Sequence, residues 1–243
     1  MYPILTAIII CYGAIQFFEL TALLSRIAGI QQNAVVIGYS IQQSVYMVTR
    51  FFVIGLLPLL GFVIDLGVSA RDFAFAAHLS LLAATILGSL AILFSGPIIR
   101  YYSGVITRYK SGGGGFVRAF FGKSCAGTHF MNPSILFIIS RRETRKTLVQ
   151  SSLVFLIYST GIFISFYLAL IFYDYRASIS QMSGVINAFG AVILTLVVEP
   201  KISRAIDTCD ENAIPHVFAL FWGRLFATAI LGQILLASVF FVT

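Results

Sequence analysis

The feature that most constrains this chain is a stretch of about twenty apolar residues that recurs along its length. The stretches fall near 4–24, 35–57, 74–98, 148–172, 178–198 and 216–241. At about 1.5 Å per helical residue, each can cross ~30 Å of hydrocarbon. A backbone in lipid must satisfy its own hydrogen bonds, so such stretches fold as helices. The sequence therefore predicts an all-α polytopic membrane protein with about six transmembrane helices. Residues 1–243 form a single transmembrane domain, with no room for a separate soluble enzyme. Only 10% of the residues are charged, against roughly 25% in soluble domains.

The net charge of +7 does not point to nucleic acid, because the basic residues sit between the spans. One side carries Arg26, Arg100, Arg108, Lys110, Arg118, Lys123, Arg141, Arg142, Arg145, Lys146, Lys201 and Arg204. The other side carries Arg71 and Arg176. The positive-inside rule makes the first side cytoplasmic and puts both termini outside. Met1-Tyr2-Pro3 offers no basic n-region, so the first span is expected to stay in the mature chain.

Segment 99–147 reads as a basic cytoplasmic loop, broken by Gly112 to Gly115. Phe116, Val117, Phe120 and Phe121 interleave with Arg118 and Lys123. That pattern suits a short helix lying on anionic phospholipid at the inner leaflet. A solvated loop that only fixes topology is the plainer alternative.

Motifs for chemistry are sparse. Cys11, Cys125 and Cys209 are scattered, so no disulfide framework is expected. Cys125 and His129 offer two ligands where a metal needs three or four. No metal or other cofactor is expected. Gly122-Lys123-Ser124 ends like a P-loop, but Val117 stands where the first glycine is required. Paired carboxylates within a span, a His-Glu metal helix and a nucleophile elbow are all missing from the sequence. The reading is a transporter and not an enzyme.

The two halves of the sequence echo each other. Pro58 precedes Asp65 by seven residues, as Pro200 precedes Asp207. Downstream, Ala84-Thr85-Ile86-Leu87-Gly88 resembles Ala227-Thr228-Ala229-Ile230-Leu231-Gly232. Three spans separate the copies, the arrangement of a 3+3 inverted-topology repeat.

Glu19, Arg50 and Arg224 fall within predicted spans. Each costs at least ~2.5 kcal/mol at the bilayer centre, so each is expected to face the protein interior or a wet cavity. Glu19 and Arg224 lie at matched depth and can form an ion pair, either as a structural lock or as part of a site. Arg50 lies deeper, near Asn187, without a matched acid. A buried arginine of that kind calls for an anion, and its planar fork suits phosphate. Arg26 either extends this basic track or snorkels as a topology marker. At Pro200, within Glu199-Pro200-Lys201-Ile202-Ser203, the helix is expected to kink or end. His78 and His216 are expected near opposite membrane surfaces.

Several of these residues together resemble the Amj-type alternate lipid II flippases. They are Glu19 with Arg26-Ile27-Ala28-Gly29, Arg50 ahead of Pro58-to-Asp65, and Ser183-Gly184-Val185-Ile186-Asn187. Glu199-Pro200-Lys201-Ile202-Ser203 with Asp207, and Gly223-Arg224, complete the set. The likeness covers 15–65 and 180–235, while 100–147 does not match. It implies a flippase that moves lipid II, the undecaprenyl-pyrophosphate-linked disaccharide-pentapeptide, across the bacterial cytoplasmic membrane for peptidoglycan synthesis. Arg26, Arg50, Arg224, Glu19 and Asn187 would then bind substrate by alternating access. Pro58, Asp65, Glu199, Pro200 and Asp207 would act as gate or hinge. Six helices are few for so large a headgroup, which favours a homodimer. A small-solute or ion transporter using the same buried charges, and a scaffold for cell-wall enzymes, are the rival readings.

Overall fold

The structure is a computed structural model that describes residues 2–112, 115–122, 134–208 and 210–242. Regular structure among the described residues is helical. The first half comprises α1 (Tyr2–Gln31), α2 (Val35–Asp65) and α3 (Ala70–Leu93). A connecting region follows, with α4 (Ser95–Lys110), α5 (Phe116–Phe120) and α6 (Ile135–Ser140). The second half comprises α7 (Arg142–Ile171), α8 (Arg176–Ile193), α9 (Glu199–Asp207), α10 (Ala213–Phe226) and α11 (Gly232–Val242). A π turn at Leu194–Val198 joins α8 to α9, and another at Ala227–Leu231 joins α10 to α11. Six helical rods are long and apolar enough to cross a membrane: α1, α2, α3, α7, α8–α9 and α10–α11. This is a multi-pass membrane protein.

Each half is built around its first helix. α1 packs along α2 and α3, and α7 packs along α8 and α10. These two axial helices are the most buried of the six rods. Lipid is as apolar as leucine, so helices associate by close packing at small residues. A Cβ on Gly38 would lie 2.7 Å from the Ser25 carbonyl and 2.9 Å from the Gly29 Cα. Ser25 Oγ also donates to the Gly38 carbonyl at 2.9 Å. In the second half a Cβ on Gly223 would lie 2.0 Å from Ser151 Oγ. Ser151 Oγ in turn donates to the Ala219 carbonyl at 3.2 Å.

The echoed segments meet each other where the halves cross. Thr85 Oγ1 donates to Thr228 Oγ1 at 3.3 Å. Gly88 faces Leu225, and Gly232 faces Leu81. Under the echo, Gly88 corresponds to Gly232 and Thr85 to Thr228. The contacts are therefore reciprocal about the Thr85–Thr228 pair, and rising numbers in α3 meet falling numbers in α10–α11. That is the geometry of two helices packed antiparallel.

The interhelical contacts sort the loops onto two faces. Lys110 Nζ donates to the Gln32 carbonyl at 2.9 Å, Lys201 Nζ to Gln150 Oε1 at 2.6 Å, and Arg141 to Asn212 Oδ1 at 2.7 Å. These contacts gather the three lysine- and arginine-rich connections on one face. Arg176 Nε meets Asp65 Oδ1 at 3.4 Å on the opposite face.

Several sequence expectations need correction. The third span was drawn to 98, but the helix breaks at Phe94. α4 starts afresh at Ser95, which puts Pro97 in its first turn, where a missing N–H costs nothing. Much of the expected loop at 99–147 is folded. α4 buries Ile99, Tyr102, Val105 and Ile106 against the bundle, on a helical spacing. α5 docks back on α4 through Tyr101 Oη to the Phe120 carbonyl at 2.7 Å and Arg108 Nε to the Ala119 carbonyl at 2.8 Å. The second span was drawn to 57, yet α2 continues through Pro58 to Asp65, as membrane helices tolerate. Gly113, Gly114, Lys123, Ser124, Cys125, His129 and Cys209 lie outside the described residues.

Candidate functional site

The polar residues of α1 fall on one stripe. Tyr12, Gln16, Glu19 and Arg26 are spaced by four, three and seven, so they share a helical face. On α2 the sequence Tyr39, Gln42, Tyr46, Thr49 with Arg50, and Val53 makes a matching stripe. The α1–α2 contact turns both toward the second half, and two clusters of identical construction result.

The inner cluster surrounds Arg224 of α10, whose side chain is 5% exposed. Its Nε donates to Gln16 Oε1 at 2.7 Å, and its Nη2 donates to Glu19 Oε2. The guanidinium carbon lies 4.9 Å from the Phe155 ring centroid. Gln16 Nε2 donates to Tyr12 Oη at 3.1 Å, and Tyr12 Oη donates to the Ser159 carbonyl at 3.0 Å. Thr49 Oγ1 reaches Glu19 Oε1 at 3.3 Å. The expected Glu19–Arg224 pairing is present, tied to α1, α2 and α7 at once.

The second cluster surrounds Arg26, whose side chain is also 5% exposed. Its Nε donates to Gln42 Oε1, and its Nη1 meets Glu199 Oε2 at 2.9 Å. Its guanidinium carbon lies 4.9 Å from the Tyr39 ring centroid. Arg26 therefore does not snorkel. It is buried, and it joins α1 to α9 just past the π turn. The helix also does not end at Pro200. Glu199 N–H bonds back to the Leu194 carbonyl in π fashion, and Pro200 falls in the first turn of α9, where a missing donor is tolerated.

A cavity of about 280 Å³ opens beside the inner cluster. Tyr46, Arg50, Tyr158, Asn187, Glu19 and Arg224 contribute its polar lining. α2 and α8 flank it without packing along each other, so it faces sideways, toward lipid. Arg50 differs from expectation here. It is exposed, because the open α2–α8 side lets its side chain reach the mouth, and it makes no ion pair with a described residue. Asn187 Oδ1 is shielded from solvent and has no hydrogen-bond partner among the described residues. The Arg224 guanidinium and an unpaired arginine thus converge on one space inside the membrane, beside an amide oxygen that lacks a donor. The two arginines are suited to a phosphate-bearing anion.

Not every expected residue joins this site. Pro58 lines a shallow apolar dent with Ile4 and Phe62, Asp65 pairs with Arg176, and Asp207 is exposed. His216 lies in the first turn of α10, buried in the protein with its Nδ1 2.9 Å from Thr147 Oγ1. His78 Nδ1 lies 2.6 Å from Gln233 Oε1. Residue-by-residue reading missed Gln16, Tyr39, Tyr46 and Phe155. The helical spacing of Tyr12, Gln16, Glu19 and Arg26 was the signal that could have found the first of these.

Among known proteins, a family model described as Amj, Alternate to MurJ, matches residues 12–242. No curated protein and no solved structure matches the chain.

Proposed function

The chain belongs to the Amj family, and from that premise we propose that it is a lipid II flippase of the bacterial cytoplasmic membrane. One observation carries the reading. A buried Arg–Glu pair faces a cavity within the membrane that is open sideways between α2 and α8, with Arg50 unpaired at its mouth. A polyprenyl substrate needs that opening. Its tail stays in lipid while its charged head enters, so only the head must be stabilised against the cost of the apolar interior.

The basic face is then cytoplasmic, and both termini lie outside. α5 presents Val117 and Phe121 outward beside Arg118, which suits contact with anionic phospholipid where the substrate is made. In the cavity the pyrophosphate displaces the Glu19 carboxylate from Arg224 and pairs with Arg50 at the mouth. A volume of about 280 Å³ holds roughly nine waters at ~30 Å³ each. It accommodates a pyrophosphate and excludes the disaccharide-pentapeptide, so the sugars and peptide pass with the halves further apart. The same volume favours a small-solute transporter as the alternative.

Complementation separates the two. The chain is expressed in bacteria depleted of their essential lipid II flippase, beside Arg50→Ala and Arg224→Ala at equal membrane abundance. Growth with the unaltered chain and none with either variant is expected. Failure of the well-expressed unaltered chain would transfer the function to the small-solute reading.

A further inference from the structure

The Arg26 cluster repeats the Arg224 cluster part for part. In each, a glutamine holds the arginine Nε, an aromatic ring covers the guanidinium plane, and a glutamate takes a terminal nitrogen. In each, the arginine side chain is 5% exposed while the glutamate is 23% or 24% exposed. The difference decides which partner can leave. A glutamate already touching solvent can rehydrate on release, whereas the arginine stays in place, held by its glutamine and its ring. The guanidinium then presents its terminal nitrogens, pre-organised for a bidentate anion.

Both pairs also bridge the halves, in opposite senses. Arg26 of α1 reaches Glu199 of the second half, and Arg224 of α10 reaches Glu19 of the first. Glu19 and Arg26 are two helical turns apart on α1, so the clusters lie ~10 Å from one another along the membrane normal. Glu199 sits on α9, joined to α8 through the Leu194–Val198 π turn, and π turns are frequent where helices adjust at functional sites.

We propose that the Arg26–Gln42–Glu199 cluster is a second diphosphate-binding station, in series with the Arg224 station and nearer the basic face. An arriving diphosphate exchanges for Glu199 at Arg26, which unlatches α9 from α1, and then exchanges for Glu19 at Arg224. The series rests on the flippase reading for its direction. The station itself rests only on the geometry above.

The test is equilibrium binding to the full chain in lipid nanodiscs, with radiolabelled farnesyl diphosphate, inorganic pyrophosphate and farnesyl monophosphate as probes. The paired variants Arg26→Gln with Glu199→Gln, and Arg224→Gln with Glu19→Gln, remove one station each without leaving a lone buried charge. Two diphosphates per chain are expected for the unaltered protein and one for each paired variant, with the monophosphate about tenfold weaker. Farnesyl diphosphate binding without pyrophosphate binding assigns the station to a lipid-linked ligand, and equal binding assigns it to the diphosphate group alone. Arg26→Lys keeps the charge and loses the fork. It is expected to weaken one site about tenfold, and it serves if the paired variant does not fold. Unchanged binding in the Arg26 and Glu199 variants, with loss only at Arg224, overturns the second station and leaves the cavity reading standing. No diphosphate binding to the unaltered protein overturns both.

Discussion

The two halves share a plan and differ in their joints. In the first half α2 and α3 run unbroken, even through Pro58. In the second half both counterparts carry a π turn, at Leu194–Val198 and Ala227–Leu231. The second of these has a visible origin. Ala84-Thr85-Ile86-Leu87-Gly88 is regular α-helix, while Ala227-Thr228-Ala229-Ile230-Leu231-Gly232 has one residue more. An extra residue inside a helix widens one turn to i→i+5 bonding, and Gly232 N–H accordingly bonds to the Ala227 carbonyl. The echo supplies the architecture, and one inserted residue gives α10–α11 a joint that α3 lacks. The Arg–Glu bridges then tie a stiff half to a jointed one.

The largest effect is expected at those bridges. Glu19→Ala strands Arg224 in the interior, and breaking a buried pair from one side costs about 3–5 kcal/mol. The variant should lose most of its folded yield in detergent thermal unfolding. Glu19→Leu with Arg224→Met should recover stability but not transport. Full stability in the single variant would mean that the halves are not held by this pair.

The next effect compares one substitution in both halves. Alanine at Gly232 places its Cβ 2.7 Å from the Ala227 backbone carbonyl, which the π turn fixes. Alanine at Gly88 meets only the mobile ends of Leu225 and Leu20, at 2.6 Å and 2.8 Å. Overpacking costs typically 1–3 kcal/mol, so Gly232→Ala should fall in that range and Gly88→Ala below it. Equal losses would show that the Ala227 carbonyl yields as readily as the leucine ends.

Deleting Ala229 tests the joint itself. It restores the first-half length and closes the π turn to a regular helical turn, keeping α10 and α11 in the register of α3. The Gln233–His78 contact is then kept, so the variant removes the joint without unpacking α11. We expect a folded chain whose complementation titre drops about tenfold. Wild-type growth would reduce the π turn to an accident of length.

The fold was legible because its signal is long and repeated. The apolar stretches located all six rods, and the charge asymmetry sorted their ends. Glu19 with Arg224 was legible because depth along two helices of opposite direction can be counted from sequence. The Arg26–Glu199 pair was not, because a kink and an end at Pro200 read alike in sequence, and the π turn carries the helix past Pro200. The mouth position of Arg50 was hidden for another reason. Sequence shows that a charge lies within a span, but not that its neighbours α2 and α8 stand apart.

The smallest effect concerns the echoed aspartates. Asp65 and Asp207 occupy equivalent places, yet Asp65 pairs with Arg176 at 3.4 Å, and Asp207 makes no ion pair with a described residue. The Asp65 pair is well exposed, at 63% and 37% of its two side chains, and such pairs contribute about 0–1 kcal/mol, less at high salt. Asp65→Asn should therefore lower the unfolding midpoint slightly, and the shift should vanish in high salt. Asp207→Asn should not move it at all. A gate would behave differently: transport would fall severalfold while stability held. If either variant does so, that aspartate moves from the surface chemistry seen here into the transport cycle. The half it belongs to would then be the one that opens first.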